Sequence, residues 1–147
     1  MTLTQKQGYW YGENHADIEA ELARYSKKNG YEINHFKNAI CKCGNDGFNI
    51  VMNDDEGVAA RICTKCNSEH GIGDSDDFID EVDSVWESEC ICGEKIFKVT
   101  AGVSLYQNSE DVRWFYLGLL CTKCMCVGCY GDWKNEYIGY KELLKRI

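Results

Sequence analysis

The first periodic pattern along the chain predicts an N-terminal helix. Ile18, Leu22 and Tyr25 recur at the spacing that places residues on one helical face. Asn14 before them is a favourable N-cap, and Gly30 after them is a favourable helix stop. We expect this apolar face to pack against the core of the protein.

Two later stretches show the same helical spacing of apolar residues. The first can begin at Asp74 or Ser75 and the second at Asp132, because these residue types cap helices well, while Gly139 weakens the second helix. We expect both to be helices that bury their apolar faces. Those faces are Phe78, Val82, Val85 and Trp86 in the first stretch, and Trp133, Tyr137, Tyr140, Leu144 and Ile147 in the second.

Between the predicted helices, the pattern indicates two β-hairpins. Strand-like residues at 48–52 and 58–62 flank the turn-forming residues at 53–57. A longer pair of arms at 96–106 and 112–120 flanks a second turn at 107–111. The second return arm is aromatic and apolar on both faces, so we expect it to be buried on both sides.

Eight of the ten cysteines follow a repeated pattern. Unit one has Cys41-Lys-Cys43-Gly44 followed by Cys63-Thr-Lys-Cys66, and unit two has Cys90-Ile-Cys92-Gly93 followed by Cys121-Thr-Lys-Cys124. In both units a Phe follows the second cysteine by five residues, and a Gly-Asp pair ends eight residues after the last cysteine. Agreement at so many fixed offsets predicts an internal duplication.

The cellular compartment decides how these cysteines are interpreted. The N-terminal residues lack the basic and then apolar pattern of a secretion signal, so we expect a cytoplasmic protein. In a reducing cytosol, cysteines are metal ligands more often than disulfides. Five disulfides remain the alternative for an exported chain, although pairs as close as Cys41 and Cys43 make strained disulfides.

Each unit offers the four soft ligands that a structural zinc ion requires. A turn that carries two cysteines, here called a knuckle, supplies two thiolates, and a hairpin brings a second knuckle beside the first. This arrangement resembles the zinc-ribbon proteins over 41–66 and 90–124, although common ribbons have two spacer residues in both knuckles and the first knuckles here have one. The resemblance implies two structural Zn²⁺ ions per chain. The predicted ligands are Cys41, Cys43, Cys63 and Cys66 in site one, and Cys90, Cys92, Cys121 and Cys124 in site two.

The metal and the two remaining cysteines have alternative interpretations. Iron in a rubredoxin-type site also takes four thiolates. An iron–sulfur cluster on cysteines 121, 124, 126 and 129 is disfavoured because it leaves Cys90 and Cys92 without a role. Since Cys126 and Cys129 align with Ser68 and Gly71, the duplication does not need them as ligands, and we interpret them as small apolar residues rather than a reactive pair.

Together these elements predict an α+β protein stabilised by metal. We expect two tandem zinc-ribbon hairpin units, each followed by a helix, with the N-terminal helix in front. The expected segments are residues 1–38 with the first helix, 39–87 with ribbon one and an acidic helix, and 88–147 with ribbon two and the C-terminal helix. We expect the three segments to form one body, since 44% of the residues are hydrophobic and a small ribbon alone has little core.

The charge of the chain indicates its class of partner. The net charge is −8, and residues 74–89 hold eight acidic residues and no Lys or Arg. Such a field repels nucleic acid and attracts basic proteins. No apolar run approaches the length of a membrane helix, so we expect no membrane partner.

The predicted sites also argue against catalysis. A closed four-cysteine site has no open coordination position, and we find no catalytic or cofactor-binding motif. We therefore expect a non-enzymatic zinc protein that acts by protein–protein interaction. In size and charge it resembles the bacterial immunity proteins, which mask basic toxins. The alternatives are a nucleic-acid-binding zinc ribbon and, less favoured, an enzyme with an unrecognised pair of carboxylates.

Overall fold

The computed structural model describes residues 3–147, and its strands form one antiparallel sheet of ten strands. The strands are β1 (Thr4–Lys6), β2 (Tyr9–Tyr11), β3 (His35–Asn38), β4 (Phe48–Asn53), β5 (Val58–Cys63), β6 (Glu69–Gly71), β7 (Trp86–Glu87), β8 (Phe97–Leu105), β9 (Val112–Cys121) and β10 (Cys126–Lys134). The helices are α1 (His15–Asn29) and the short α2 (Tyr140–Leu144), and two single 3₁₀ turns lie at Ser75–Asp77 and Ile79–Glu81. The main strand order is β1-β2-β10-β9-β8-β4-β5-β6, with β3 paired to β8 and β7 paired to β4.

The predicted N-terminal helix is confirmed as α1, with both of its predicted ends. The Asn14 side chain accepts a hydrogen bond from the Asp17 backbone N–H at 3.1 Å. The Asp17 carboxylate accepts in return from the Asn14 N–H at 3.3 Å, which completes a capping box. At the other end Gly30 adopts φ 90°, a left-handed conformation that glycine takes without a Cβ penalty.

One face of the β8–β9–β10 sheet carries α1. Ile18 and Leu22 are fully buried there in a cluster with Tyr116, Leu120 and Val127. Gly118 allows this close approach, because a Cβ at that position would lie 2.5 Å from Ile18 Cγ2. The helix therefore covers one face of β9, the strand that the sequence predicts to be buried on both faces.

The strand registers agree with an internal duplication. In unit one, Phe48 pairs with Cys63 across the β4–β5 hairpin, and Phe97 pairs with Cys121 in the same way across β8 and β9. The third strands, β6 and β10, also pair in equivalent registers with β5 and β9. Each unit is thus a three-stranded meander with its two knuckles at the same end of the first hairpin.

The two units exchange the strands that precede their first knuckles. Strand β3 precedes the first knuckle of unit one but pairs with β8 of unit two, where Asn38 is opposite Thr100. Strand β7 precedes the first knuckle of unit two but pairs with β4 of unit one, where Glu87 is opposite Val51. These two pairings join equivalent positions, so the exchange is reciprocal.

The largest buried cluster draws on both units. Phe48 and Ile50 of unit one lie in the same cluster as Phe97 and Leu117 of unit two, together with the buried cysteines of both sites. Trp133 on β10 stacks on Phe115 at a ring distance of 5.0 Å. The metal sites are therefore set at the edge of a shared apolar core.

The predicted arrangement of two hairpin-plus-helix units in an α+β fold is wrong. A single ten-stranded sheet replaces it, and neither unit is followed by the helix that the spacing predicted. Residues 133–134 belong to β10, because they pair with the long strand β9. Gly139 precedes the only helical residues of this stretch, the five residues of α2, and adopts φ 85°. The predicted helix with an apolar face of Trp133, Tyr137, Tyr140, Leu144 and Ile147 is therefore wrong.

The predicted acidic helix at residues 74–86 is also wrong. The chain forms two single 3₁₀ turns there and then joins the sheet as β7, with Trp86 opposite Met52. Like charges three or four residues apart, such as Asp76 and Asp80, destabilise a helix, and the free edge of β4 offers Trp86 a strand partner instead. Phe78, Val85 and Trp86 are consequently exposed rather than buried.

Within residues 3–147, neither helix has the length and apolar character required to cross a membrane.

Candidate metal centres

Site one brings together the four predicted cysteines of unit one. One ligand atom from each of them lies within 4.8 Å of all the others. The sulfurs of Cys41 and Cys66 are 3.6 Å apart, and those of Cys43 and Cys63 are 3.5 Å apart. Cys41 and Cys63 are buried, whereas Cys43 and Cys66 are exposed.

Site two repeats this geometry in unit two. The four sulfurs again lie within 4.8 Å of one another. Cys90 and Cys124 are 3.5 Å apart, and Cys92 and Cys121 are 3.6 Å apart. Cys90 and Cys121 are buried, Cys92 is exposed and Cys124 is half-buried.

These distances fit a tetrahedral metal ion better than a disulfide. At a Zn–S distance of about 2.3 Å, a regular tetrahedron of sulfurs has edges of about 3.8 Å. A disulfide requires an S–S distance of about 2.05 Å, and none of the ten cysteines forms one. Both tetrads could therefore hold a metal ion, and four thiolates suit zinc or iron.

The backbone around each second knuckle points N–H groups at a ligand sulfur. The N–H groups of Lys65 and Cys66 donate to Cys63 Sγ at 3.4 and 3.5 Å. Lys123 and Cys124 donate to Cys121 Sγ, both at 3.4 Å. Such donors stabilise a thiolate, which is the form that binds metal.

In both units, the first knuckle turns at the glycine that follows its second cysteine. Gly44 has φ 91° and Gly93 has φ 94°, and each donates its N–H to the carbonyl of the first cysteine at 2.8 Å. Only glycine takes this left-handed conformation without strain. The single spacer between the two cysteines is therefore compatible with four sulfurs meeting at one point.

Three side chains surround the sulfurs of site one. The amide nitrogen of Asn45 donates to Cys63 Sγ at 3.3 Å, and the Ser68 hydroxyl lies 3.1 Å from Cys66 Sγ. The guanidinium of buried Arg61 lies over the Phe48 ring at 4.8 Å, and although burial lowers the pKa of Arg61, the neighbouring Cys41 sulfur opposes that lowering. These groups partly neutralise the negative charge of a tetrathiolate site.

Site two has different residues at the three equivalent positions. The duplication places Glu94 where unit one has Asn45, Cys126 where it has Ser68, and Leu119 where it has Arg61. Site two therefore has a carboxylate in place of an amide, a thiol in place of a hydroxyl and an apolar group in place of a cation. The two sites share their ligands and their backbone geometry but not their surroundings.

Without a metal, the cysteines of each tetrad differ in their affinity for protons. The backbone N–H of Cys66, with help from the Asn45 amide, lowers the pKa of Cys63 to about 5. Although the backbone N–H of Asn45 opposes it, desolvation and the neighbouring thiols raise the pKa of Cys43 to about 11. In site two, the backbone N–H of Glu94 lowers the pKa of Cys92 to about 7, whereas burial raises the pKa of Cys90. Four sulfurs this close cannot all ionise unless a cation takes the place of the protons.

The two remaining cysteines lie outside both tetrads. Cys126 is buried in the core cluster at the start of β10, and Cys129 lies on the same strand with its thiol donating to the Gly131 carbonyl at 3.3 Å. Burial raises the pKa of both thiols. Their surroundings are those of small core residues.

Sequence reasoning missed the groups that contact the ligand sulfurs. Asn45 and Ser68 each lie two residues after a ligand cysteine, and Arg61 lies two residues before one. Comparing the two repeats position by position provides the signal, because these are places where the repeats differ in charge or hydrogen-bonding capacity.

The fold and the two tetrads define the class as an antiparallel β protein with two four-cysteine sites suited to metal ions. No protein-family model matches the chain, and the comparisons with curated proteins and with solved structures found no significant match.

Proposed function

We propose that this protein binds two structural zinc ions and acts, without catalysis, by binding a basic protein. Each tetrad already supplies the four ligands that zinc takes in a structural site, which leaves no position for a substrate or an activated water. The function then depends on the surface that this metal-stabilised body presents.

The observation that carries the proposal is the acidic segment, residues 74–89. Within the described part of the chain, two cations form ion pairs with it: Arg146 with Asp77 at 3.3 Å and Lys95 with Glu87 at 3.0 Å. Asp80, Glu81 and Asp83 are exposed and have no ion-pair partner among residues 3–147. A partner with Lys and Arg side chains would compensate this charge and associate faster because of it.

Aromatic side chains lie among these carboxylates. Phe78 is 49% exposed and Trp86 is 45% exposed, so the residues expected to face the core are at the surface instead. Aromatic residues are enriched among the side chains that dominate protein interfaces. An acidic surface with exposed aromatic groups suits a protein partner better than a small ion.

The specific form of this proposal is an inhibitor of the immunity type, which masks the basic surface of a partner. Nucleic-acid binding is the alternative. Its predicted contacts are the second hairpin, with Arg113, Trp114 and Tyr116, and the C-terminal lysines, Lys141 and Lys145. Tyr116 is fully buried, and the Arg113 guanidinium stacks on Tyr31 at 4.5 Å, so the hairpin part of this surface is largely occupied by internal contacts, whereas Lys141 and Lys145 are exposed. That observation favours the protein-binding proposal.

The test measures binding of a fluorescent Lys/Arg-rich peptide by anisotropy. Reversing three charges of the acidic segment, with Asp80, Glu81 and Asp83 each changed to Lys, should weaken binding at least about tenfold. Raising the salt from 50 mM to several hundred should weaken wild-type binding, because the screening length falls from about 14 Å to about 5 Å.

The matched control reverses three acidic residues of the β4–β5 turn, Asp54, Asp55 and Glu56, to Lys. This variant has the same net charge as the first one, so it should retain most of the binding if the acidic segment is the contact surface. Equal weakening by both variants would show only an effect of net charge. Tight binding of duplex DNA or RNA at physiological salt would favour the alternative function.

A further inference from the structure

The two metal sites are made chemically unequal by the residues around their sulfurs. Site one has the Asn45 amide at 3.3 Å from Cys63 Sγ and the Ser68 hydroxyl at 3.1 Å from Cys66 Sγ. It also has the buried cation Arg61, which lies over the Phe48 ring at 4.8 Å. These three groups draw electron density from the ligand sulfurs and lower their reactivity as nucleophiles.

Site two has none of these three groups at the equivalent positions. Glu94 takes the position of Asn45, but its carboxylate accepts from the Lys95 backbone N–H at 2.8 Å and has no N–H to donate to a sulfur, and Leu119 takes the position of the cation. Glu89, directly before Cys90, adds a second carboxylate where unit one has Ile40. The site two sulfurs therefore keep more of their negative charge, although they are the less exposed set.

We propose that site two is the oxidation-sensitive site of this protein and reacts with hydroperoxides before site one. The inference rests on the proposed function, because it requires zinc in both tetrads. Solvent exposure alone predicts that site one reacts first. Both Cys43 and Cys66 of site one are exposed, whereas in site two Cys92 is exposed and Cys124 is half-buried. Which site is oxidised first therefore shows whether the groups around the sulfurs or the solvent exposure of the sulfurs determines their reactivity.

The reaction joins two neighbouring sulfurs of site two, Cys90 and Cys124, which are 3.5 Å apart. One thiolate attacks a peroxide oxygen, the O–O bond breaks, and the sulfur becomes a sulfenic acid while the other oxygen leaves as water after protonation. The second thiolate then attacks that sulfur and displaces hydroxide, which takes up a proton. Two sulfurs thereby lose two electrons to form one S–S bond, and hydrogen peroxide with two protons becomes two water molecules.

The experiment treats the zinc-loaded full-length protein with hydrogen peroxide in the presence of a chromogenic zinc indicator. Peptide mapping by mass spectrometry at each time point identifies which cysteines have been oxidised. We expect two phases of zinc release, with the Cys90–Cys124 disulfide in the first phase and site one oxidised at least about threefold more slowly.

Exchanging residues between the units provides the matched variants. Glu94→Asn should slow the oxidation of site two, because unit two retains the partners that hold the Asn45 side chain in unit one. Asn45 donates to the Gly47 carbonyl and to Thr64 Oγ1, and Thr122 Oγ1 donates to the Ile96 carbonyl at 2.9 Å as Thr64 does to Gly47. The reverse change, Asn45→Glu, should accelerate the oxidation of site one.

A second variant, Cys126→Ser, places the hydroxyl of unit one beside site two and should also slow its oxidation. Zinc content and circular dichroism show whether each variant has folded. Oxidation of site one first, equal rates at both sites, or an unchanged rate in both Glu94→Asn and Cys126→Ser would overturn the inference. Fewer than two zinc ions in the untreated protein would instead contradict the proposed function.

Discussion

Removing one ligand from either site should destabilise the whole chain in a single transition. The variants are Cys63→Ser for site one and Cys121→Ser for site two. Both cysteines are fully buried at the end of a strand, opposite Phe48 and Phe97 respectively. These two phenylalanines pair directly with each other and lie in the core cluster that both units share.

The expected effect is large compared with the stability of a protein of this size. A structural zinc ion contributes on the order of 10 kcal/mol or more to folding, whereas native proteins are stable by about 5–15 kcal/mol in total. For a chain of this length, each kcal/mol shifts the melting temperature by about 2–4 °C. A loss of even 5 kcal/mol therefore lowers the melting temperature by about 10–20 °C, and a loss of about 10 kcal/mol removes all the stability of a chain in the middle of that range.

Elemental analysis and thermal unfolding followed by circular dichroism check this expectation. Wild-type protein should contain about two zinc ions per chain, and each variant should lose at least one. The refuting result is a variant that melts in two steps, with one step at the wild-type temperature, because it would show that the two units fold independently. Iron in place of zinc would show that the metal is assigned wrongly.

Three further predictions concern the rest of the molecule. The double variant Cys126→Ser with Cys129→Ser should keep two metal ions and melt within a few degrees of wild type, and loss of one metal would show that site two is assigned wrongly. Gly118→Ala should cost about 1–3 kcal/mol in urea unfolding, because the added methyl collides with α1, whereas Gly128→Ala, with its nearest atom at 3.9 Å, should be nearly neutral. Asn14→Ala removes the N-cap of α1 and should cost about 0.5–2 kcal/mol in the same assay, and an unchanged midpoint would contradict the capping role.

Local features of this molecule were predictable from the sequence because their causes are local. The capping residues Asn14 and Gly30 determine the ends of α1 through contacts within a few residues. Both hairpins form where strand-like apolar segments flank turn-forming residues. The grouping of four cysteines per unit follows from the same hairpins, because each brings two knuckles together.

The features that sequence reasoning missed depend on contacts between distant segments. Nothing near Trp86 in the chain indicates that it will pair with Met52, and the apolar spacing around it is equally compatible with a helix. Trp133 is a similar case, because β9 recruits it as a strand partner. The placement of Arg61 depends on a distant contact as well, since it donates to the Ile147 carbonyl, 86 residues away. Asn45 and Ser68 are close to the ligands in sequence, and only the comparison of the two repeats singles them out.

The reciprocal exchange of β3 and β7 gives the chain the construction of a fused homodimer. Phe48 and Phe97 occupy equivalent positions in the two units and pair with each other across two antiparallel strands. In a symmetric dimer, a residue on the two-fold axis meets its own copy in the same way. An ancestral single unit with this sequence pattern could have formed the same contact with a second copy of itself. Two copies joined in one chain can differ in sequence, and here one half has Arg61 where the other has Leu119. Covalent linkage thus allows the two halves to specialise, which identical subunits of a symmetric dimer cannot do.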